Sequence, residues 1–349
     1  MTDQMDPLKD KLKYYILQSL ERLDTNLLRG FSGINPLLPF YHTVSNDYLP
    51  HVAHLLKFKT VDRFILDLDY FLRYYKSISL DKLIKHKNES LKIPSNSVHI
   101  TVDDGLKEIF QIIAPILKEK NLDATFFICT DFLDNKTLFY RHKASILIDY
   151  LTKHDGKNKI NLVEEILKEQ NYNTNDLRTS ILSISYEKQN VLDIIANEIG
   201  FSFREYLNKN KPYLTSSQVK ELISEGFTIG SHSRDHPYFQ QLTLSSQLKQ
   251  TRDSLNFLSD KFSIDYKAYS MPFNDLGIKK EFFYKLYSEI GIDIYFGSSG
   301  MKTDQFSNNF QRFHLENRFA NSSPSHVIKN KYSTTIFERF MGRNSITRY

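Results

Sequence analysis

The chain has 349 residues, 40% of them hydrophobic and 25% charged. That is ordinary for a soluble globular protein and enough for one large barrel with additions or for two domains. Its 46 basic and 41 acidic residues leave a net charge of +5, spread along the chain with no basic block interleaved with aromatics, so a nucleic-acid partner is not indicated. The single cysteine, Cys129, excludes an intrachain disulfide, and no apolar run is long enough to span a bilayer.

The first residues lack the basic start and apolar core of a signal peptide; acidic Asp3 and Asp6 come first, so the reading is a cytoplasmic protein. Residues 1–34 read as an N-terminal extension. In it Leu8, Leu12, Tyr15, Ile16, Leu20 and Leu23 fall on one helical face, flanked by Lys9, Lys11 and Lys13. That face is expected to pack on the main domain, on a second subunit or on a membrane surface. Leu38 to Val44 reads as a first strand. Val61 to Tyr75 reads as a helix with Thr60 as N-cap and Phe64, Ile65, Leu68, Phe71, Leu72 and Tyr75 on one face. A short helix opens at Ser79.

His99-Ile100-Thr101-Val102 is β-prone and runs into Asp103-Asp104-Gly105, with Gly105 supplying turn freedom. A helix over Leu106 to Lys120 and a strand over Thr125 to Cys129 follow; Cys129 reads as a buried core thiol. Residues 131–212 then turn polar and rich in Asn and Lys. Their periodicity predicts helices near Arg141–Lys153, Leu162–Gln170 and Glu187–Asn197, an insertion serving as scaffold or lid. Thr215 to Gln218 is a capping-box pattern starting a helix that Gly226 ends. Phe227-Thr228-Ile229-Gly230 is a strand that delivers Ser231-His232-Ser233-Arg234-Asp235-His236-Pro237. A helix through Leu244, Leu248, Leu255 and Leu258 follows. Tyr266 to Met271 and Asp293 to Gly297 are further strands, and residues 321–349 form a C-terminal tail.

Two strings carry the chemistry. One ends a strand on adjacent carboxylates; the other ends a strand on two histidines four positions apart. One carboxylate and two imidazoles make a facial metal set with open positions for water and substrate, and the spare carboxylate is then a general base beside the metal. Both sets sit just past strand ends, where α/β folds build their sites.

The pair TVDDG and, far downstream, SHSRDHP resembles the first two motifs of the polysaccharide deacetylases, the carbohydrate esterase family 4 or NodB-homology group, over about residues 38–316. The resemblance implies a distorted (β/α) barrel over residues 35–320, with the 131–212 segment inserted. It implies removal of acetyl groups from an N-acetylated carbohydrate with a divalent metal, usually zinc. On its terms Asp104, His232 and His236 are the metal ligands and Asp103 is the base. Ser270-Met271-Pro272-Phe273-Asn274 departs from the third motif. Pro272 and Phe273 are the substrate contacts there, the Phe273 N–H is the oxyanion donor, and Asn274 is expected in the left-handed conformation that glycine takes in relatives. A late histidine, His314, is the expected general acid, with His42 second. Arg312 or Arg318 is expected to orient Asp103. The chain has 26 Phe and 21 Tyr but no Trp, so sugar stacking falls to Tyr238, Tyr269, Phe273 and Tyr295.

Other readings stay open at this stage: hydrolysis of a small non-sugar amide, a glycan-binding or scaffolding pseudoenzyme, and an iron-dependent oxygenase built on the same donor set.

Overall fold

The computed structural model describes residues 7–153 and 156–349. Asp3 and Asp6 lie outside the described residues, as do the side chains of residues 7–10, including Leu8 and Lys9. Eight parallel strands form one sheet, in the order Asn309–Gln311, Ile294–Gly297, Ala268–Ser270, Thr228–Ser231, Ala124–Ile128, Ile100–Val102, Pro39–Tyr41 and Phe313–His314. From the second to the seventh of these the order runs backwards along the chain, each strand beside the one before it in sequence, as in a (β/α) barrel. The two edge strands are consecutive in the chain, so the sheet curls into a nearly closed barrel of the expected fold class.

Strand alternation sorts the side chains. Phe127, Ala268, Ile294, Phe296 and Phe310 share one apolar cluster with Leu80 and Leu83, while Tyr269 and Tyr295 pack with Phe282 and Phe283 in another. The first set fills the barrel; the second faces the surrounding helices. Gly230 faces inward, where a Cβ would strike the ring of Phe127. The side wall formed by Val102, Phe126 and Ile229 packs on Phe64, Leu68 and Leu222 of outer helices.

Several local expectations hold, and some fail for clear reasons. The capping box forms: the Gln218 N–H donates to Thr215 Oγ1 at 3.3 Å and the Thr215 N–H to Gln218 Oε1 at 2.9 Å. Thr60 precedes the helix Val61–Tyr74 but makes no side-chain cap; the Val61 N–H donates to Asn46 Oδ1 at 3.0 Å instead. The insertion is helical, with Tyr140–Lys153, Lys157–Glu169, Leu177–Leu182, Asn190–Glu198 and Phe203–Asn210 closing on their own apolar cluster. The N-terminal helix Pro7–Glu21 packs only partly: Leu20, and Leu23 just past its end, pack half-buried against the core, but Leu12 and Tyr15 are more than half exposed. The tail is no loose end. Its helix Pro324–Phe340 lies against Thr25–Ser32 and Pro7–Glu21, and Ser345–Ile346 pairs with Thr303–Asp304.

Candidate metal centre

Asp103 and Asp104 follow the strand Ile100–Val102, and His232 follows Thr228–Ser231, which Ala124–Ile128 separates from it in the sheet. His236 returns to the same point through a turn in which Ser233 and His236 both take positive φ, 70° and 58°. Asp104 (φ 72°) and Gly105 (φ 73°) are left-handed as well. Two of the three proposed metal ligands thus sit in backbone that ordinary residues avoid, at a cost of roughly 1–3 kcal/mol each, and such outliers cluster at ligand sites.

The geometry brings the three together. Asp104 Oδ1 lies 3.5 Å from His232 Nε2 and 3.3 Å from His236 Nε2, and one donor atom from each residue fits within a 4.8 Å span. Asp104 Oδ1 is buried and has no hydrogen-bond partner among the described residues. His232 Nδ1 donates to the Ser270 carbonyl at 2.9 Å, so Nε2 carries the lone pair and faces Asp104. Burial depresses the His232 pKa to about 4, which keeps the ring neutral. Burial pushes Asp104 up, but the neighbouring His236 and the other imidazoles outweigh it and hold its carboxyl well below the usual range. An orphaned carboxylate oxygen facing imidazole nitrogens is a donor set suited to a divalent ion.

Asp103 stands beside them, its Oδ2 3.9 Å from His232 Nε2. Arg312, fully buried, donates Nη1 to Asp103 Oδ1 and Nη2 to Oδ2, both at 2.8 Å. Its other protons go to Thr101 Oγ1 (2.9 Å), Ser270 Oγ (2.5 Å) and the Gly297 carbonyl (3.2 Å). Burial raises the Asp103 pKa and Arg312 lowers it, with a net fall, so the carboxylate is charged at neutral pH and keeps lone pairs free. Of the two arginines expected to orient Asp103, Arg312 does so. Arg318 instead lies over the ring of Phe319.

His314 does not reach the centre. It lies beside Phe40 in the register, with its ring near Phe40 and Phe319 and its Nδ1 3.3 Å from the Glu316 carbonyl. His42, the second candidate, is held by Glu316. Its Nδ1 meets Glu316 Oε2 at 2.5 Å, while Glu316 Oε1 accepts from the His42 N–H at 2.9 Å and the Thr43 N–H at 3.3 Å. Burial lowers its pKa, but Glu316, with smaller help from Asp104 and Asp103, raises it on balance to about 9, so the ring is cationic. Glu316 was not legible as a site residue: it lies two positions past the last strand, 274 residues from its partner.

The loop after Ala268–Ser270 places Phe273 at φ 57°, so Phe273 itself holds the left-handed position expected of Asn274. Its ring lies 4.5 Å from that of His236 and 5.3 Å from that of Tyr238, and both Phe273 and Tyr238 stay partly exposed. The Phe273 N–H has no hydrogen-bond partner among the described residues. Phe139, from the insertion, closes the other side of His236 at 4.5 Å, a contact that sequence distance conceals. Pro272 is buried and shapes the loop. Tyr269 and Tyr295 are corrected: both are fully buried among Phe239, Phe282 and Phe283, because alternation turns their strand positions outward.

Inward-facing carboxylates and histidines at the strand ends of a parallel barrel define a class, the (β/α)-barrel proteins with a two-histidine, one-carboxylate metal site. The sequence profile of the polysaccharide deacetylases matches residues 91–292, and the chain belongs to that family. Among curated proteins the chain has no match. Among solved structures it resembles the Streptococcus pyogenes deacetylase PplD in complex with acetate, at 14% identity over 84% of this chain and 97% of that one, with a TM-score of 0.53. It also resembles IcaB from Ammonifex degensii, at 12% identity over the same shares, with a TM-score of 0.52. At these identities the likeness concerns the fold.

Proposed function

We propose that the protein hydrolyses an acetyl amide on an N-acetylated sugar of a glycan, capsule or lipid-linked precursor. The observation that carries this reading is the division of labour between two adjacent carboxylates. Asp104 faces two imidazoles, and Asp103, one residue away and 3.9 Å from His232 Nε2, is held charged by Arg312. A pure binding site has no use for a charged base beside a metal set.

Asp104, His232 and His236 would hold the ion, for which zinc is the choice. When bound it supplies Lewis-acid polarisation of the acetyl oxygen and acidifies a water. Asp103 accepts the proton of the attacking water through a lone pair that Arg312 leaves open. The Phe273 N–H, free in a strained loop, donates to the oxyanion. His42, cationic because of Glu316, donates the proton that the departing amine needs. Phe273 and Tyr238 give the sugar an aromatic wall beside the ligand His236.

The test is Asp103→Asn. Loss of a general base lowers turnover by about 10²–10⁴-fold, while one bound metal per chain should persist. Unchanged acetate release in a metal-loaded variant would remove Asp103 from the chemistry; no release by the unaltered protein would favour a glycan-binding role.

A further inference from the structure

A second cavity lies on the same rim of the barrel. It measures about 500 Å³ and opens between the segment that follows the first strand and the inserted helix Leu177–Leu182. Its floor is apolar, with Leu55, Leu56 and Phe58. Beside the neutral Tyr48 and Asn317, its polar lining is basic, with Lys57, Arg178 and His54 and no carboxylate among the lining residues.

Lys57 and Arg178 are exposed, and the charge of Arg178 acts on Asp176, two positions before it, without a close ion pair. Neither Lys57 nor Arg178 forms an ion pair among the described residues. The closest polar partner of Arg178 is the His54 carbonyl, at 3.4 Å. His54 Nε2 is buried without a hydrogen-bond partner. The acids nearby are already engaged: Asp149 accepts from Tyr48 Oη at 2.7 Å and from Lys153 Nζ at 3.0 Å, and Asp176 accepts from Thr179 Oγ1. Two unpaired cations and an orphaned imidazole nitrogen over an apolar floor form a seat for an anion carried on a partly apolar body.

The cavity adjoins the residue that holds His42. Glu316 holds His42, and the next residue, Asn317, lines the cavity. Asn317 is tied to Lys57 twice: its N–H donates to the Lys57 carbonyl at 2.6 Å, and the Lys57 N–H donates to its Oδ1 at 3.1 Å. Asn317 takes φ 58°, another left-handed position on this rim.

We propose that this cavity binds an anionic unit, a sugar bearing a carboxylate or a phosphate, on the same glycan whose acetamido group lies at the metal centre. The proposal rests on the deacetylase reading and narrows it to charged glycans. The insertion, whose helix brings Arg178, then selects substrate instead of serving only as scaffold.

The test uses the full-length zinc-loaded protein and three probes of equal length: a neutral N-acetylglucosamine tetramer, a tetramer alternating N-acetylglucosamine with glucuronate, and a tetramer ending in a sugar phosphate. The unaltered protein should show a KM at least tenfold lower for one charged probe than for the neutral one, and which charged probe wins separates carboxylate from phosphate. The double variant Lys57→Ala, Arg178→Ala should raise that KM to the neutral value and leave kcat and KM on the neutral probe within twofold. Equal KM for all three probes, or a variant that weakens neutral and charged probes alike, would overturn the proposal. If no probe releases acetate, the deacetylase reading fails by itself, and calorimetry with the charged tetramers decides the cavity. Binding abolished in the double variant upholds an anion site; absent or unaltered binding overturns it.

Discussion

The pairing of Asp103 with Arg312 shows how one buried contact sets both chemistry and stability. Both side chains are nearly or fully buried, and the two bonds are 2.8 Å each. Breaking such a pair from one side leaves an uncompensated buried charge and costs about 3–5 kcal/mol. Arg312→Ala is therefore expected to lower the unfolding free energy by that amount, read as a lower urea midpoint, and to slow turnover, since Asp103 loses its fixed charge and direction. His42 gives the pH dependence. Its folded pKa of about 9 lies above the ordinary 6.5 of a histidine, so the Glu316 contact stabilises the fold fully below about pH 6.5 and the gain is lost as pH rises through 9. As the proposed proton donor it would work only while charged, so kcat should fall on the alkaline side near that value. Glu316→Gln should move this limb toward 6.5, and a limb unmoved in that variant would exclude His42 as the donor. At this scale the motifs were legible because neighbouring residues encode them. Glu316 and Phe139 were not, since only folding brings residue 42 to 316 and 236 to 139.

Among the elements, the C-terminal residues carry a load that their sequence does not announce. Arg348, almost fully buried, bonds Asp275 and Asp304, and Asp275 also accepts from Ser299 Oγ and Gln311 Nε2 at 2.7 Å. Asp275 lies two residues past Phe273, whose carbonyl accepts from Ser298 Oγ at 2.5 Å. The tail thus fastens the loop of Phe273, the proposed oxyanion donor. Arg348→Ala leaves two buried carboxylates short of a cation, and a loss of about 3–5 kcal/mol in chemical denaturation is expected. A midpoint unchanged from the parent would show that the tail is dispensable. Residues 321–349, read as a tail, hold the packed helix Pro324–Phe340 as well as Arg348, whose role no periodic pattern announces. Helices with strong apolar periodicity, such as Val61–Tyr74, were plain in the sequence, whereas the short strands Asn309–Gln311 and Phe313–His314 were too brief to show alternation. Tyr295 failed for the opposite reason: its strand was legible, but the face that each residue takes depends on register in the closed sheet.

The whole molecule is a barrel filled with Phe127, Ala268, Ile294, Phe296 and Phe310 toward one end and opening at the other on Asp103, Asp104, His232 and His42. Fold class followed from the family resemblance that two motifs at strand ends carry; what the 131–212 insertion does was beyond sequence, because its polar composition marks a surface and not a partner. No helix among the described residues is long and apolar enough to cross a membrane. A metal that binds only the folded state adds stability by mass action, about 2.7 kcal/mol at a hundredfold excess over Kd, so chelation should lower the melting temperature and zinc should restore it. The measurement closest to the central claim is acetate release from N-acetylated oligosaccharides by metal-stripped and zinc-reloaded protein side by side. The account predicts release that vanishes on stripping and returns on reloading. Release indifferent to metal, or none from protein shown to hold one ion per chain, would contradict it.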